Sequence, residues 1–497
     1  MKGRWALWGP ALVLALLNLV SFGLDAGGMG FYLDDWSLAE PGWRAADQSL
    51  WGMMKEFYNA GLAFNTSWLL RPMDIVYHPG LYWLAGLSFW KYQLAYRVME
   101  TASSVFLFLA FLKATGRPGL AFLTAALFTV FPNHGATRHW FTAAVTPAMA
   151  LASAGLWCWV CWLDKGRAAF LAASLILLAA GSLTYEAVLP AAVLMPFLSY
   201  WHGLRQGLSS EGARAKAVRD SLWPGLCVAA LAAYHVGIQH LGPATISRKM
   251  SFDPGFSLKA LGRGFECNTT AVLHLCWVFT LSGLKELEWW RWPLAALVGA
   301  LLARWMSRAY PDEPGPVGSR SWLVASGVLF VGAYAPYALS ADRYIPHIFD
   351  PQNRLNVPPS LAAVMALGFG LTALPGRART WVLAGLVAVF TVVNWENARQ
   401  WKEAYRLQVS VLTGLKRNVD ALPPGPAAIF LEGAPAEYKT VPVFNETFTF
   451  DSALRLFTGR RDLKGSIMVG GRAERSYPEI KARYRYRHPE GVFTAEP

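Results

Sequence analysis

The chain has 497 residues, of which 54% are hydrophobic, 14% aromatic and only 15% charged. Soluble domains carry about 25% charged residues, and a single core stops growing at about 250–300 residues, so this composition argues against a water-soluble enzyme. The 23 Trp, 18 Tyr and 28 Phe exclude disorder, and in a membrane protein a net charge of +13 points to the positive-inside bias rather than to nucleic acid. The excess apolar surface must face lipid in part, yet a mean hydropathy of +0.28 requires polar segments between the spans.

The first apolar run, residues 5–24, follows Lys2 and Arg4 and is long enough to cross a bilayer. No convincing small-x-small cleavage site follows, so it reads as an uncleaved anchor with a cytoplasmic N-terminus. Further runs lie at about 94–113, 118–131, 143–163, 168–182, 187–201, 222–241, 293–306, 322–339, 360–374 and 381–394. With about eleven spans, the basic clusters at 113–117, 165–167, 205–219, 304–308 and 377–379 all fall on the cytoplasmic side. Counting 269–284 as a twelfth would put two of those clusters outside, so it reads as an interfacial or re-entrant helix. The expectation is a multi-pass protein of a bacterial inner membrane, with its C-terminus outside. Segments 25–92, 133–142, 242–268, 340–359 and 395–497 then form a polar outer layer, and chemistry belongs there.

The five cysteines make no disulfide framework. Cys158, Cys161 and Cys227 sit in apolar runs as small core residues, whereas Cys267 and Cys276 pair if their loop lies outside.

The first outer loop opens with Gly27-Gly28-Met29-Gly30 and reaches the adjacent carboxylates Asp34 and Asp35. Near the membrane surface the local dielectric is low, and a carboxylate there has a raised pKa suited to a general base. Residues 36–60 carry Leu50, Met54, Phe57 and Tyr58 at helical spacing beside Trp43 and Trp51, the pattern of a helix lying in the interface. Arg71 and His78 follow on the same face.

An N-terminal span, a loop headed by an acidic pair, interfacial helices and an Arg-Pro before the second span resemble the GT-C superfamily of polytopic glycosyltransferases. The chain is most similar to the protein O-mannosyltransferases and to bacterial relatives of the tetratricopeptide-repeat transmembrane O-mannosyltransferases, without the repeats. Phe131-Pro132-Asn133-His134 with Arg138-His139-Trp140 resembles their second outer loop. Ser182-Leu183-Thr184-Tyr185-Glu186 resembles their Ser-Lys-Glu turn with Tyr185 in place of lysine, and Arg354 to Ser360 resembles their Arg-Tyr-x-x-x-Pro-Ser stretch. Trp401-Lys402-Glu403 resembles the Trp-x-x after their last span. Together these cover residues 5–415.

The resemblance implies an all-α polytopic GT-C-like fold with a transmembrane domain over 1–415. It implies inverting transfer of a sugar from a polyprenyl-phosphate-linked donor to a hydroxyl of a protein, glycan or lipid acceptor. Such a reaction needs a base, cations for the departing phosphate and an apolar groove for the prenyl tail. Asp34 or Asp35 is the candidate base. Arg71, Arg138, His139, Arg343 and Arg354 are candidates for the donor phosphate, unless they snorkel or pair with Asp342, Asp350 or Glu186. His78 and Glu186 are supporting candidates, the latter because a carboxylate within an apolar run needs a partner or a cavity. No cofactor is obligatory; a divalent metal bridging Asp and His is conceivable from His78, His134, His139 and His347, but no ligand spacing supports it. A transporter or flippase for lipid-linked sugars, or a non-catalytic envelope scaffold, is the alternative.

Beyond the last span, Pro423 to Pro426 break the chain, and residues 416–497 are expected to form a small α/β domain. Residues 427–432 read as a buried strand, 452–458 as a helix and 466–469 as a strand. Arg472 to Arg487, interleaved with tyrosines, suit anionic lipid, an anionic glycan or an ordinary solvated strand.

Overall fold

The computed structural model describes residues 5–63, 69, 71–141, 144–241, 253–310, 319–338, 344–348 and 351–495. Arg343, Asp342 and Asp350 lie outside the described residues.

The chain starts with α1 (Trp5–Asn18), extended by a π turn to Gly23. Next come α2 (Asp34–Arg44), α3 (Leu50–Ala63) and α4 (Asp74–Ala85). The predicted amphipathic stretch 36–60 is thus two helices rather than one. Pro41 and Trp43 carbonyls close α2 at Ala45 and Ala46, and the Ser49 hydroxyl starts α3 by accepting from the Gly52 N–H at 3.3 Å. Then follow α5 (Phe89–Thr115), α6 (Pro118–Val130), a 3-10 segment (Pro132–Arg138), α7 (Val145–Lys165) and α8 (Ala168–Thr184). A second 3-10 segment (Glu186–Val193) leads to α9 (Leu194–Arg205), α10 (Ser210–Asp220), α11 (Leu222–Leu241), α12 (Pro254–Asn268) and α13 (Thr270–Glu286). The bundle closes with α14 (Arg291–Ala309), α15 (Ser319–Ala338), a third 3-10 segment (Pro351–Asn356), α16 (Val357–Thr372) and α17 (Gly376–Val419).

Every predicted span falls on helix. Six helical segments, Phe89–Thr115, Val145–Lys165, Glu186–Arg205, Ser210–Ile238, Gln352–Thr372 and Gly376–Val419, are long and apolar enough to cross a membrane by length and composition. Trp8–Gly23, Pro118–Val130 and Ala168–Thr184 are apolar but shorter, and α14 is interrupted by Arg304 and Arg308. The ambiguous segment 269–284 is α13, which joins α12 at a 42° bend; together they are a broken span or a re-entrant loop. Cys267 and Cys276 sit on either side of that bend and are unbridged, so the pairing expected for them does not form.

Small residues let the helices touch. A Cβ at Gly181 would lie 2.9 Å from the Ala148 carbonyl, and one at Gly299 would lie 2.7 Å from that of Ala384. At one end of the bundle the basic turns converge, with Lys113 2.7 Å from Asp164 and Arg205 donating to the Lys113 carbonyl. The opposite end gathers α2 to α4, the three 3-10 segments and the C-terminal residues.

Helix α17 has 44 residues, so it is about 66 Å long, more than twice a hydrocarbon core of about 30 Å. Its far half carries a five-stranded sheet built from β1 (Ala427–Glu432), β4 (Leu463–Val469), β5 (Arg472–Ala473), β6 (Ala482–Arg487) and β7 (Val492–Ala495). The strand order is β5-β4-β1-β6-β7, with β1 parallel to both neighbours. A hairpin of β2 (Glu437–Tyr438) and β3 (Val441–Pro442) and helix α18 (Thr447–Thr458) connect β1 to β4. Both the 452–458 helix and the 466–469 strand read from sequence begin earlier in the structure. Ala427, Ile429 and Leu431 alternate toward the main core, against Leu412, Leu415 and Val419 of α17. Within the last strands, the Arg483 guanidinium covers the Phe430 ring at 5.4 Å, and Arg485 and Arg487 approach Glu432 at 3.7 and 3.1 Å.

Candidate functional site

The glycine run before the acid pair is a close-approach device. A Cβ at Gly28 would lie 2.3 Å from the Lys402 Cε, and one at Gly30 would lie 1.8 Å from the Tyr405 ring. The loop therefore lies directly on α17. Tyr32 fixes it there: its hydroxyl donates to the Trp401 carbonyl at 2.6 Å, and its ring stands edge-on to Trp401. Leu33 then adopts a φ of 47°, a region a branched side chain rarely occupies, and the chain turns into α2.

That turn separates the two carboxylates. Asp35 folds back, accepting from the Tyr32 N–H at 3.2 Å, and is buried. It lines a cavity of about 20 Å³ with His78, Tyr82, Tyr92 and Phe141, room for about one water. Asp34 stays half-buried at the first turn of α2. Burial pushes its carboxyl above the usual range, against the opposing pull of the Arg354 guanidinium.

Arg354 projects from the third 3-10 segment. Its guanidinium lies 4.8 Å from the centre of the Trp140 ring and 5.8 Å from that of Tyr344. It makes no hydrogen bond and no ion pair among the described residues, so its N–H edge remains available for an anion. Arg71 is engaged differently. It grips Glu186 bidentately, both bonds at 2.7 Å, with its guanidinium 4.3 Å from the Tyr185 ring centre. The cluster also holds His78, whose Nε2 is 3.9 Å from Asp74 Oδ1. Burial, followed by Arg71, lowers the His78 pKa to about 3, so it is a neutral hydrogen-bonding group rather than a cation.

Arg138 and His139 lie elsewhere. Arg138 is buried with Arg97 against Glu100, at 3.6 and 3.0 Å, and donates to the Thr129 carbonyl at 2.9 Å. Its guanidinium lies 3.6 Å from the centre of the Phe22 ring. His139 is fully enclosed beside Trp401, and burial, then Arg97 and Arg138, hold its pKa far below the usual histidine value. The structure therefore does not bring these two residues to Asp34 as phosphate donors; they belong to a buried knot beneath the loop. Beside that knot an apolar groove of about 740 Å³ runs between α1 and α5, lined by Trp8, Leu12, Ala15, Val98, Thr101 and Phe106. Among the described residues, no three His, Cys, Asp or Glu side chains converge as metal ligands would.

Two features were not legible in sequence. Trp140, Tyr344 and Tyr185 supply the aromatic faces on which the arginines rest. The second is the attachment of the C-terminal sheet. Arg455 of α18 donates to both Glu40 oxygens at 2.6 and 2.7 Å, Ser452 adds a bond at 2.8 Å, and Asp451 pairs with Arg455 at 2.6 Å. Burial pushes the Glu40 carboxyl up, but Arg455, Arg44 and Ser452 together hold it below the usual range. Glu40 is six residues along α2 from Asp34, so the sheet is bolted to the helix that carries the acids. Glu446, just before α18, has its carboxyl raised by burial and then by Asp34. Over 400 residues separate these partners, and no local pattern marks them.

No protein-family model and no curated protein matches the sequence. The chain is similar to the crystal structure of ArnT from Cupriavidus metallidurans bound to undecaprenyl phosphate, a GT-C glycosyltransferase, at 12% identity over 95% of this chain and 87% of that one, with a TM-score of 0.42. At that identity nothing about residues, donor or acceptor carries over, and the functional reading rests on the geometry above.

Proposed function

We propose that the protein transfers a sugar from a polyprenyl-phosphate donor to an acceptor hydroxyl at the end of the bundle that holds Asp34. The Asp34 carboxylate accepts the hydroxyl proton as the oxygen attacks the anomeric carbon from the face opposite the phosphate. The bond from that carbon to the phosphate oxygen breaks, and polyprenyl phosphate leaves with the electron pair and the negative charge. Arg354 meets that charge, with Arg71 behind it neutralised by Glu186. Attack from the far face inverts the anomeric configuration. The groove between α1 and α5 offers room for a stretch of the prenyl tail.

One observation supports this reading: a half-buried carboxylate lies within electrostatic reach of an arginine that makes no hydrogen bond or ion pair among the described residues, at a polar end of the bundle. It also favours Asp34 over Asp35 as the base, since Asp35 is turned inward onto the Tyr32 N–H. The test uses membranes containing the protein, supplied with radiolabelled undecaprenyl-phosphate-linked hexoses, and follows both product and released lipid phosphate. Asp34→Asn should cut transfer by about two orders of magnitude or more while Asp35→Asn retains most of it. Full transfer by the Asp34 variant would remove the base from the mechanism.

A further inference from the structure

Arg354 has a half-buried side chain, and its backbone is held from both directions. Asn353, one residue before it, donates to the Ile348 carbonyl at 2.7 Å and to the Asn133 carbonyl. Asn356, two residues after it, donates to the His347 carbonyl at 2.9 Å and to the Asn133 carbonyl at 3.2 Å. The Asn133 amide in turn donates to Asn268 at 2.6 Å and accepts from the Ser360 hydroxyl at 2.7 Å. The Tyr334 hydroxyl closes the ring. It accepts from Asn268 at 2.8 Å and donates to the Asn356 side-chain oxygen at 2.8 Å. Asn133, Asn268, Asn353, Asn356, Ser360 and Tyr334 are all buried.

Six polar side chains in an apolar bundle are costly unless each finds a partner, and a ring in which they satisfy one another admits few alternative arrangements. The ring draws on four separate parts of the chain: the 3-10 segment after α6, the end of α12, the last turns of α15, and the 3-10 segment that leads into α16 together with the first turn of that helix. Gly264 makes room for it, because a Cβ there would lie 2.4 Å from the Tyr334 ring. The only member of the Asn353–Asn356 segment that turns a long charged side chain away from the ring is Arg354, toward Trp140, Tyr344 and Asp34.

We infer that this asparagine–tyrosine ring is a positioning device for the phosphate-binding arginine: Tyr334 and Asn133 set where the Arg354 guanidinium stands, without touching the substrate. The inference rests on the proposed role of Arg354. An arginine that grips phosphate through a planar fork works only within a narrow range of position, so small displacements of its backbone lower affinity.

The probe is undecaprenyl phosphate, titrated into the full-length protein in lipid nanodiscs. Tyr334→Phe keeps the ring's volume and removes one hydroxyl; Ser360→Ala removes a second link should the first variant fold poorly. Tyr334→Phe should weaken undecaprenyl phosphate binding about tenfold. Combined with Arg354→Ala it should lose no more than Arg354→Ala alone, because a positioning residue has nothing left to position. A merely structural role would instead add its loss to that of Arg354→Ala. Wild-type affinity in both Tyr334→Phe and Ser360→Ala, or additive losses in the double variant, would overturn the inference. Wild-type affinity in Arg354→Ala would overturn the phosphate role itself, a separable outcome.

Discussion

Two arginine clusters occupy the same polar end of the bundle, and they differ in what surrounds the guanidinium. Arg138 is enclosed by Glu100, a backbone carbonyl and the Phe22 ring. Arg354 rests against two aromatic rings and makes no ion pair among the described residues, with Asp34 acting on it only through its field. Both are arginines in loops expected on one face, and both were candidates for the donor phosphate. Partners, not residue type, decide the difference. A guanidinium committed to a buried carboxylate and a carbonyl holds the fold together, and one with no such partner among the described residues can hold a ligand.

This contrast can be broken most severely at the base. Asp34→Asn should lower transfer by about 10²–10⁴-fold, the range for a lost general base, measured as labelled product per unit of protein. Removal of a buried ion-pair partner comes next. Arg138→Ala should cost about 3–5 kcal/mol because Glu100 is left in the bundle with less compensation, and the loss should appear in denaturation monitored by tryptophan fluorescence. Arg455→Ala should cost a similar amount by stranding Glu40, and amide exchange should rise along α2. Lys416→Ala, on a solvent-exposed pair with Asp420 at 3.3 Å, should cost at most about 1 kcal/mol.

The smallest effect is a shift in pH dependence. Burial raises the Asp34 carboxyl and Arg354 pulls it back. A base must be ionised, so activity falls as pH drops through that raised value. Arg354→Gln removes the pull, so the acid limb of the residual activity should move to higher pH. A limb that stays in place or moves to lower pH would show that Arg354 does not act on Asp34 in the membrane-embedded protein. His78 contributes no limb in the neutral range, since its pKa lies near 3.

The helical frame was legible because apolar runs and basic turns are local signals. All the predicted spans lie on helix, and the buried strand 427–432 is β1. The acid pair and the glycines before it were equally plain, although the reason for the glycines, the side chains of Lys402 and Tyr405 pressed against them, lies some 370 residues away. The partners of the cations were not legible. Nothing near Arg138 announces Glu100 as its counter-ion, and although Glu186 was a foreseeable partner for one of the arginines, nothing in the sequence says that it pairs with Arg71 rather than Arg354. Such pairings are set by helix packing between distant segments. Sequence spacing therefore nominated five cations, and three-dimensional contacts sort the four that lie among the described residues. The asparagines of the ring read as ordinary loop polar residues until their mutual hydrogen bonds are seen.

In the proposed mechanism Arg354 serves the substrate and Arg138 serves the fold. Parallel measurement of thermal stability and undecaprenyl phosphate affinity in Arg354→Ala and Arg138→Lys tests it directly. Arg354→Ala should keep the wild-type melting temperature and lose affinity, while Arg138→Lys should melt earlier and, where folded, bind as the wild type does. The reverse pattern, with stability lost at Arg354 and affinity lost at Arg138, would contradict it.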